Sequence, residues 1–181
     1  MVFLTEIFQS SALQQWVWEV CFPTGKVEQS NGNDMEFMKT LLEGIEEKKI
    51  PAHSPIEQRW SAASSSFMSP AHGTPDSLFS WVGIINYLPL ENERQRRSIT
   101  ELFKGPYCDL MRSVCVPFGA VSHWAKLEQP TSIWKMVDLQ LLMQSKYPVD
   151  SFNALRSIYD PKNIMANPLM NMALGDPTKK K

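Results

Sequence analysis

The stretch PIEQRW, Pro55 to Trp60, puts a carboxylate and a guanidinium two residues apart, between Ile56 and Trp60. Glu57 and Arg59 have the types of two working groups, a hydrogen-bond acceptor and a fixed cation, aimed into one pocket. In an extended segment residues i and i+2 point the same way. Glu57 and Arg59 therefore share one face, and Ile56, Gln58 and Trp60 share the other. An ordinary ion pair on an edge strand, worth at most about 1 kcal/mol, has the same spacing. Spacing alone favours that plainer reading. His123 and Lys126, in HWAKLE, are two further candidates. A lone lysine is usually solvated, and a lone histidine can be a satisfied core residue.

Other devices are missing from the sequence. Ser64, Ser65 and Ser66 stand in no GxSxG elbow, so a serine nucleophile has little support. No GxGxxG or GxxxxGK[ST] string offers a phosphate cradle. Cys21, Cys108 and Cys115 form neither a disulfide framework nor a CxxC pair, which fits a reduced compartment. His53, His72 and His123 lie far from zinc-finger spacing, so no metal is expected. With 18 basic and 19 acidic residues the net charge is −1, which argues against a nucleic-acid binder. The 181 residues, 43% apolar and 20% charged, fit one globular domain. No run approaches a membrane-spanning length, and the first residues lack the pattern of a secretory signal.

The elements that must position these groups follow from periodicity. QQWVWEVCFP alternates, with Trp16, Trp18, Val20 and Phe22 on one face, and reads as a strand ended by Pro23 and a turn at Thr24-Gly25. A helix opens at Asp34, with Met35, Met38, Leu41, Leu42 and Ile45 at helical spacing, and stops before Pro51. PIEQRW is a short extended segment, and SAASSSFMSPAHGTPDS a long loop. LFSWVGIINYLP is nearly continuous apolar and predicts a strand buried on both faces. LENERQRRSITELFKG predicts a charged helix with Ile99, Leu102 and Phe103 inward and Gly105 as its stop. The segment PYCDLMRSVCVPFGAVS is ambiguous. HWAKLE alternates as a strand. A helix is expected from Pro130 to about Lys146, and another from Pro148 with Phe152, Leu155 and Ile158 on one stripe. The sum is an α+β or layered α/β domain.

Several strings occurring in order carry more information than any one of them. QQWVWEVCFP, SPIEQRWSAASSSFMSPAHG, FSWVGIINYLP, HWAKLE and YPVDSFNALRSIYDPKNIMANPL together resemble the C-terminal region of galactonolactone dehydrogenases. These belong to the aldonolactone oxidoreductases, within the vanillyl-alcohol-oxidase type of flavoproteins. The resemblance runs from about Gln15 to Asn167. Its best signatures are IEQRW, HWAK and the close at Asp160, Pro161 and Asn167. FKGPYCDLMRSVCVPFGAV diverges.

The resemblance implies an α+β fold, an antiparallel sheet flanked by helices, as the later part of the substrate domain of a two-domain FAD oxidoreductase. It implies a substrate-domain portion over residues 1–175, a basic tail over 176–181 and an FAD-binding domain outside this chain. The implied reaction is oxidation of an aldono-1,4-lactone, above all L-galactono-1,4-lactone, in ascorbate biosynthesis. Hydride passes to the flavin and electrons to cytochrome c or another acceptor. The related fungal enzyme acts on D-arabinono-1,4-lactone. Arg59 would stabilise charge developing on a substrate oxygen in a water-poor pocket. Glu57 would orient the sugar hydroxyls. Lys126 would be a second catalytic cation, and His123 would lie at the flavin edge. Asn167 fits a structural cap better, and Trp60 and Trp124 fit packing. The implied location is mitochondrial, at the inner membrane. Two other readings compete: a non-catalytic assembly subunit of respiratory complex I, and a fragment whose open strand edges prevent independent folding.

Overall fold

The computed structural model describes residues 14–51, 55–126, 141 and 143–175. His53, most of the helix expected before Lys146, and the basic tail lie outside the described residues. The fold is α+β, an antiparallel sheet flanked by helices. Its long strands are β1 (Gln15–Lys26), β3 (Ile56–Ala62) and β4 (Ser77–Tyr87). Two short strands, β2 (Gln29–Ser30) and β5 (Val121–Ser122), pair with β1. The order is β2-β1-β4-β3, so β4 is central and β3 lies at an edge. As its apolar run predicts, β4 buries Phe79, Trp81, Val82 and Ile84 on both faces. The first strand does not end at Pro23; it continues to Lys26 through a register shift.

Strand alternation sorts the side chains into two layers. Val20, Phe22, Val82 and Ile84 point to one face, with Trp16, Trp18 and Ile56 half-buried beside them. The opposite face carries Cys21, Phe79 and Trp81, with Glu19, Glu57 and Arg59 in the same alternation.

The first three helices lie on the first face. Helix α1 (Asn33–Glu47) packs through Phe37, Leu41 and Ile45. Phe37 stacks on Phe22 at 4.4 Å, while Met35 and Leu42 of the expected stripe are exposed. The helical stripe is thus shifted towards Phe37, because the sheet offers an aromatic partner there. Helix α2 (Glu93–Leu102) is capped by the Asn92 side chain. It does not stop at Gly105. The chain passes through a π-turn over Phe103–Tyr107 into α3 (Cys108–Phe118). Pro106 has no N–H to give, and a π-turn lets the helix pass such a break. Burial of Phe103, Tyr107, Leu110, Met111 and Val114 holds both sides of it together. This resolves the ambiguous segment as helix, closed by Gly119 at φ 63°.

Past β5 the chain forms a second small core of Met143, Tyr147, Val149, Ala173 and Leu174. Helix α4 (Val149–Tyr159) buries Val149 and Arg156 there, while Leu155 and Ile158 of the expected stripe are exposed. Arg156 is clamped by Asn163 Oδ1 at 2.6 Å and Asn171 Oδ1 at 3.0 Å. Asp160 accepts hydrogen bonds from the backbone N–H groups of Ile164 and Met165, and Asn167 caps α5 (Pro168–Leu174) through Met170 N. The Asp160…Asn167 close is therefore a set of backbone clamps.

Two outcomes follow from this packing. Leu41→Ala should lower the unfolding free energy by about 2–5 kcal/mol in a urea titration, whereas Leu155→Ala should change it by no more than about 0.5 kcal/mol. Burial raises the Cys115 thiol from 9.0 to about 12, and raises Cys21 and the Tyr147 phenol further. For these groups the protonated form is favoured by folding. Their contribution is intact below the unfolded values and is lost as pH rises through the folded ones. Thermal unfolding scans should show Tm falling on the alkaline side of pH 9.0, less steeply in Cys115→Ala. At about pH 8 a thiol reagent should label Cys21 and Cys115 only after denaturant is added.

Candidate functional site

The register of three strands builds the candidate site. Glu19 on β1 faces Gly83 on β4, which faces Glu57 on β3. One step along the same face, Cys21, Trp81 and Arg59 form the next row. Glu57 and Arg59 thus share a face, as the spacing required. They are not an ion pair with each other among the described residues. Arg59 instead reaches across β4 to Glu19, whose Oε1 accepts from Nε at 2.8 Å and lies 2.8 Å from Nη2.

Three features make this reach possible. Two inter-strand spacings separate β3 from β1, about 10 Å in all, within the span of an extended arginine. Gly83 leaves room beside the Glu19 side chain. A Cβ there would lie 3.6 Å from Glu19 Cβ and 3.7 Å from its Cγ, so anything larger would crowd the carboxylate. Trp81 supplies the floor, with the guanidinium carbon 4.5 Å from the ring centroid. The indole is itself fixed, donating from Nε1 to Ser61 Oγ at 2.8 Å. A cation over a tryptophan face is favourable.

His123 joins the same group. Its ring lies 5.6 Å from Trp81, and its backbone N–H donates to the Glu19 carbonyl at 2.8 Å. Arg59 and His123 thus contact one indole. Lys126 is placed differently from its expectation. HWAKLE is not a strand: pairing ends at Ser122, and Trp124–Lys126 is a 3-10 turn closed by Lys126 N–H to His123 O. Trp124 donates from Nε1 to the Met68 carbonyl at 2.7 Å and packs on Tyr147, and these contacts override the alternation. Leu127 and Glu128 lie outside the described residues. No hydrogen bond or ion pair joins Lys126 to Glu57 or Arg59 among the described residues.

The connection from β3 to β4 covers part of this face. It is not the open loop that its composition suggested. Ser64 pairs with His72, Ala63 and Ser64 donate back to Ser77 and Ala71, and Ala71 is buried against Trp81 and Phe79. Cover stops short of the charged row. The Glu57 residue is exposed and the Arg59 side chain is 48% exposed, against 12% for Glu19. The described residues do not supply the water-poor pocket expected around Arg59. No group of three metal-ligating side chains occurs among the described residues.

Sequence reasoning missed Glu19, Trp81 and Gly83. A signal for Glu19 was present: it is a single carboxylate inside the apolar run QWVWEVCF, and a charge there needs a partner. Which partner it takes depends on strand order.

Comparison with known proteins bears on what this face serves. The family model for D-arabinono-1,4-lactone oxidase matches residues 6–173. L-galactono-1,4-lactone dehydrogenase 1, mitochondrial, of Oryza sativa subsp. japonica is 43% identical over 85% of this chain and 27% of its own length. The mitochondrial L-galactono-1,4-lactone dehydrogenase of Arabidopsis thaliana is 43% identical over 85% of this chain and 25% of its own. L-gulono-1,4-lactone dehydrogenase of Mycobacterium tuberculosis (strain ATCC 25618 / H37Rv) is 23% identical over 95% of this chain and 37% of its own. The chain spans about a quarter of the length of the two plant proteins. A sheet face that sets Glu57, Arg59 and Glu19 together thus stands in a chain that belongs to the D-arabinono-1,4-lactone oxidase family.

Proposed function

We propose that this chain supplies the lactone-binding face of an FAD-dependent aldonolactone oxidoreductase, acting on L-galactono-1,4-lactone in ascorbate biosynthesis. The observation that carries the reading is the guanidinium of Arg59, held over Trp81 by Glu19, with Glu57 on the same face. Glu19 takes two of the five guanidinium N–H groups, so three remain for an oxygen-rich ligand. Arg59 binds the carbinol oxygen and stabilises the negative charge that grows there as the hydroxyl proton is withdrawn, before hydride leaves the carbon and the carbonyl forms. Glu57 accepts hydrogen bonds from the sugar hydroxyls and takes the hydroxyl proton, so that one proton and one hydride leave in all.

The residues present fit a flavin on its ring side. His123, suited to a ring edge, and Arg59, suited to a substrate oxygen, adjoin on one indole. The flavin, when bound, supplies the hydride acceptor. No loop among the described residues offers a glycine-rich backbone cradle for the pyrophosphate, so the remainder of FAD belongs to a separate FAD-binding domain. Closure by that domain would also exclude water from Arg59, where a fixed charge is worth most. Cytochrome c as electron acceptor and a mitochondrial, inner-membrane-associated location follow the same family reading. No helix among the described residues is long and apolar enough to cross a membrane, so such association would be peripheral or made by other segments.

One observation favours a second reading, an interaction subunit such as a complex I assembly partner. Ile158, Tyr159, Ile164 and Met165 are all more than two-thirds exposed. Such a run suits a covering surface as well as a solvent-facing one.

The full-length, flavin-loaded protein tests the first reading. Arg59→Ala should lower kcat with L-galactono-1,4-lactone by about 100- to 1,000-fold while the flavin absorbance spectrum is retained. Glu57→Gln should impair both binding and turnover. Wild-type turnover in Arg59→Ala would remove the proposed role. Loss of partner capture in Ile158→Ser with intact lactone oxidation would favour the second reading as an added role.

A further inference from the structure

Glu19 is a carboxylate held nearly out of water under a guanidinium that is half in it. Burying a charge is costly, and an apolar residue of similar volume would often serve the fold as well. The geometry of the pair suggests what the charge achieves. Both contacts to Glu19 come from one edge of the guanidinium, Nε and Nη2, and both reach the same oxygen. An edge contact stops the planar group from rotating in its own plane. The Trp81 face beneath stops it from moving down towards the sheet. Each constraint limits a motion that the other leaves free.

We infer that Glu19 is the positioning residue for Arg59. It fixes the guanidinium over Trp81 so that the uncommitted N–H groups are presented to the lactone oxygen without reorganisation. This assignment rests on the reading of the face as a lactone site. Glu19 does not touch the reacting atoms in this role; it acts through Arg59. Its backbone is a second anchor, because its carbonyl accepts from His123 N–H. One residue thereby ties the cation on β3 and the histidine after β5 to the same point of β1. Gly83 is part of the device, since an added Cβ there would already touch Glu19 Cβ and Cγ, and a longer side chain would crowd the carboxylate.

Two measurements test the inference. The first uses the chain without ligand. In a nitrogen–proton NMR spectrum, Glu19→Gln should shift the Arg59 Nε–H signal and speed its exchange with water, while the amide signals of Val20, Phe22 and Val82 stay in place. An unmoved Arg59 signal overturns the inference. The second uses the full-length, flavin-loaded enzyme. Glu19→Gln should lower kcat/KM for the aldonolactone by about 100-fold, the scale of a small misplacement at a reacting centre. In the Arg59→Ala background the same substitution should change it by no more than about twofold. An equal loss in both backgrounds would mean that Glu19 serves only the fold, and would overturn the inference. If Glu19→Gln does not fold, Glu19→Asp carries both measurements, with partial recovery expected because the charge is kept. The two failures are distinguishable. Wild-type kcat/KM in Glu19→Gln leaves lactone oxidation standing and removes the positioning role. A wild-type enzyme that oxidises no aldonolactone, with the Arg59 signal displaced as stated, overturns the lactone reading and the catalytic use of the clamp with it.

Discussion

The ion pair from Arg59 to Glu19 crosses a whole strand, and much of the structure is arranged so that it can. It needs β4 between β1 and β3, with Gly83 opposite Glu19 and Trp81 opposite Arg59. A one-residue slip of β3 would turn Arg59 to the helix-covered face and bring Gln58 into its place. What prevents the slip is not the ion pair. Val20, Phe22, Val82 and Ile84 must all stay beneath α1 and α3, and Ile56 is packed at their margin. The dry face of the sheet sets the register, and the register sets the charged face.

The two faces differ in how they treat charge. The helix face is closed by aromatic packing, with Phe37 and Phe118 both in contact with Phe22. The other face is covered by the β3–β4 connection, whose Ala71 packs with Cys21, Phe79 and Trp81, and is left open along Glu19, Gly83 and Glu57. Two arginines show the contrast. Arg156 is 8% exposed and donates to neutral side-chain and backbone oxygens, which makes it a strut between α4 and α5. Arg59 is half exposed, held by one carboxylate at one edge, with donors to spare. A strut uses its hydrogen bonds internally, whereas a site keeps some for a ligand.

Elements with a strong local signal were legible in the sequence. β1, β3 and β4 follow from alternation and apolar runs, and α1 and α2 from helical spacing. The misreadings all concern segments where a distant partner decides. Gly105 looks like a helix stop, yet Phe103 and Tyr107 are buried on the same core and hold the helix through a π-turn. HWAKLE alternates, yet the bond from Trp124 to Met68 pulls it into a turn. In α4 the apolar spacing names Leu155 and Ile158, but the face that packs is set by Val149 and by the Arg156 clamp.

The sequence by itself determined that Glu57 and Arg59 lie on one side of a strand, because strand geometry admits no other arrangement at that spacing. Its ordered strings also carried the family resemblance. The identity of the Arg59 partner was decided by the tertiary structure alone. Glu19 is 40 residues away in the chain, and nothing local links the two. Strand order brings them across β4, the missing side chain of Gly83 leaves room for Glu19, and Trp81 gives the guanidinium a surface to lie over. An ion pair of this kind depends on non-local pairing, so no window of sequence contains it.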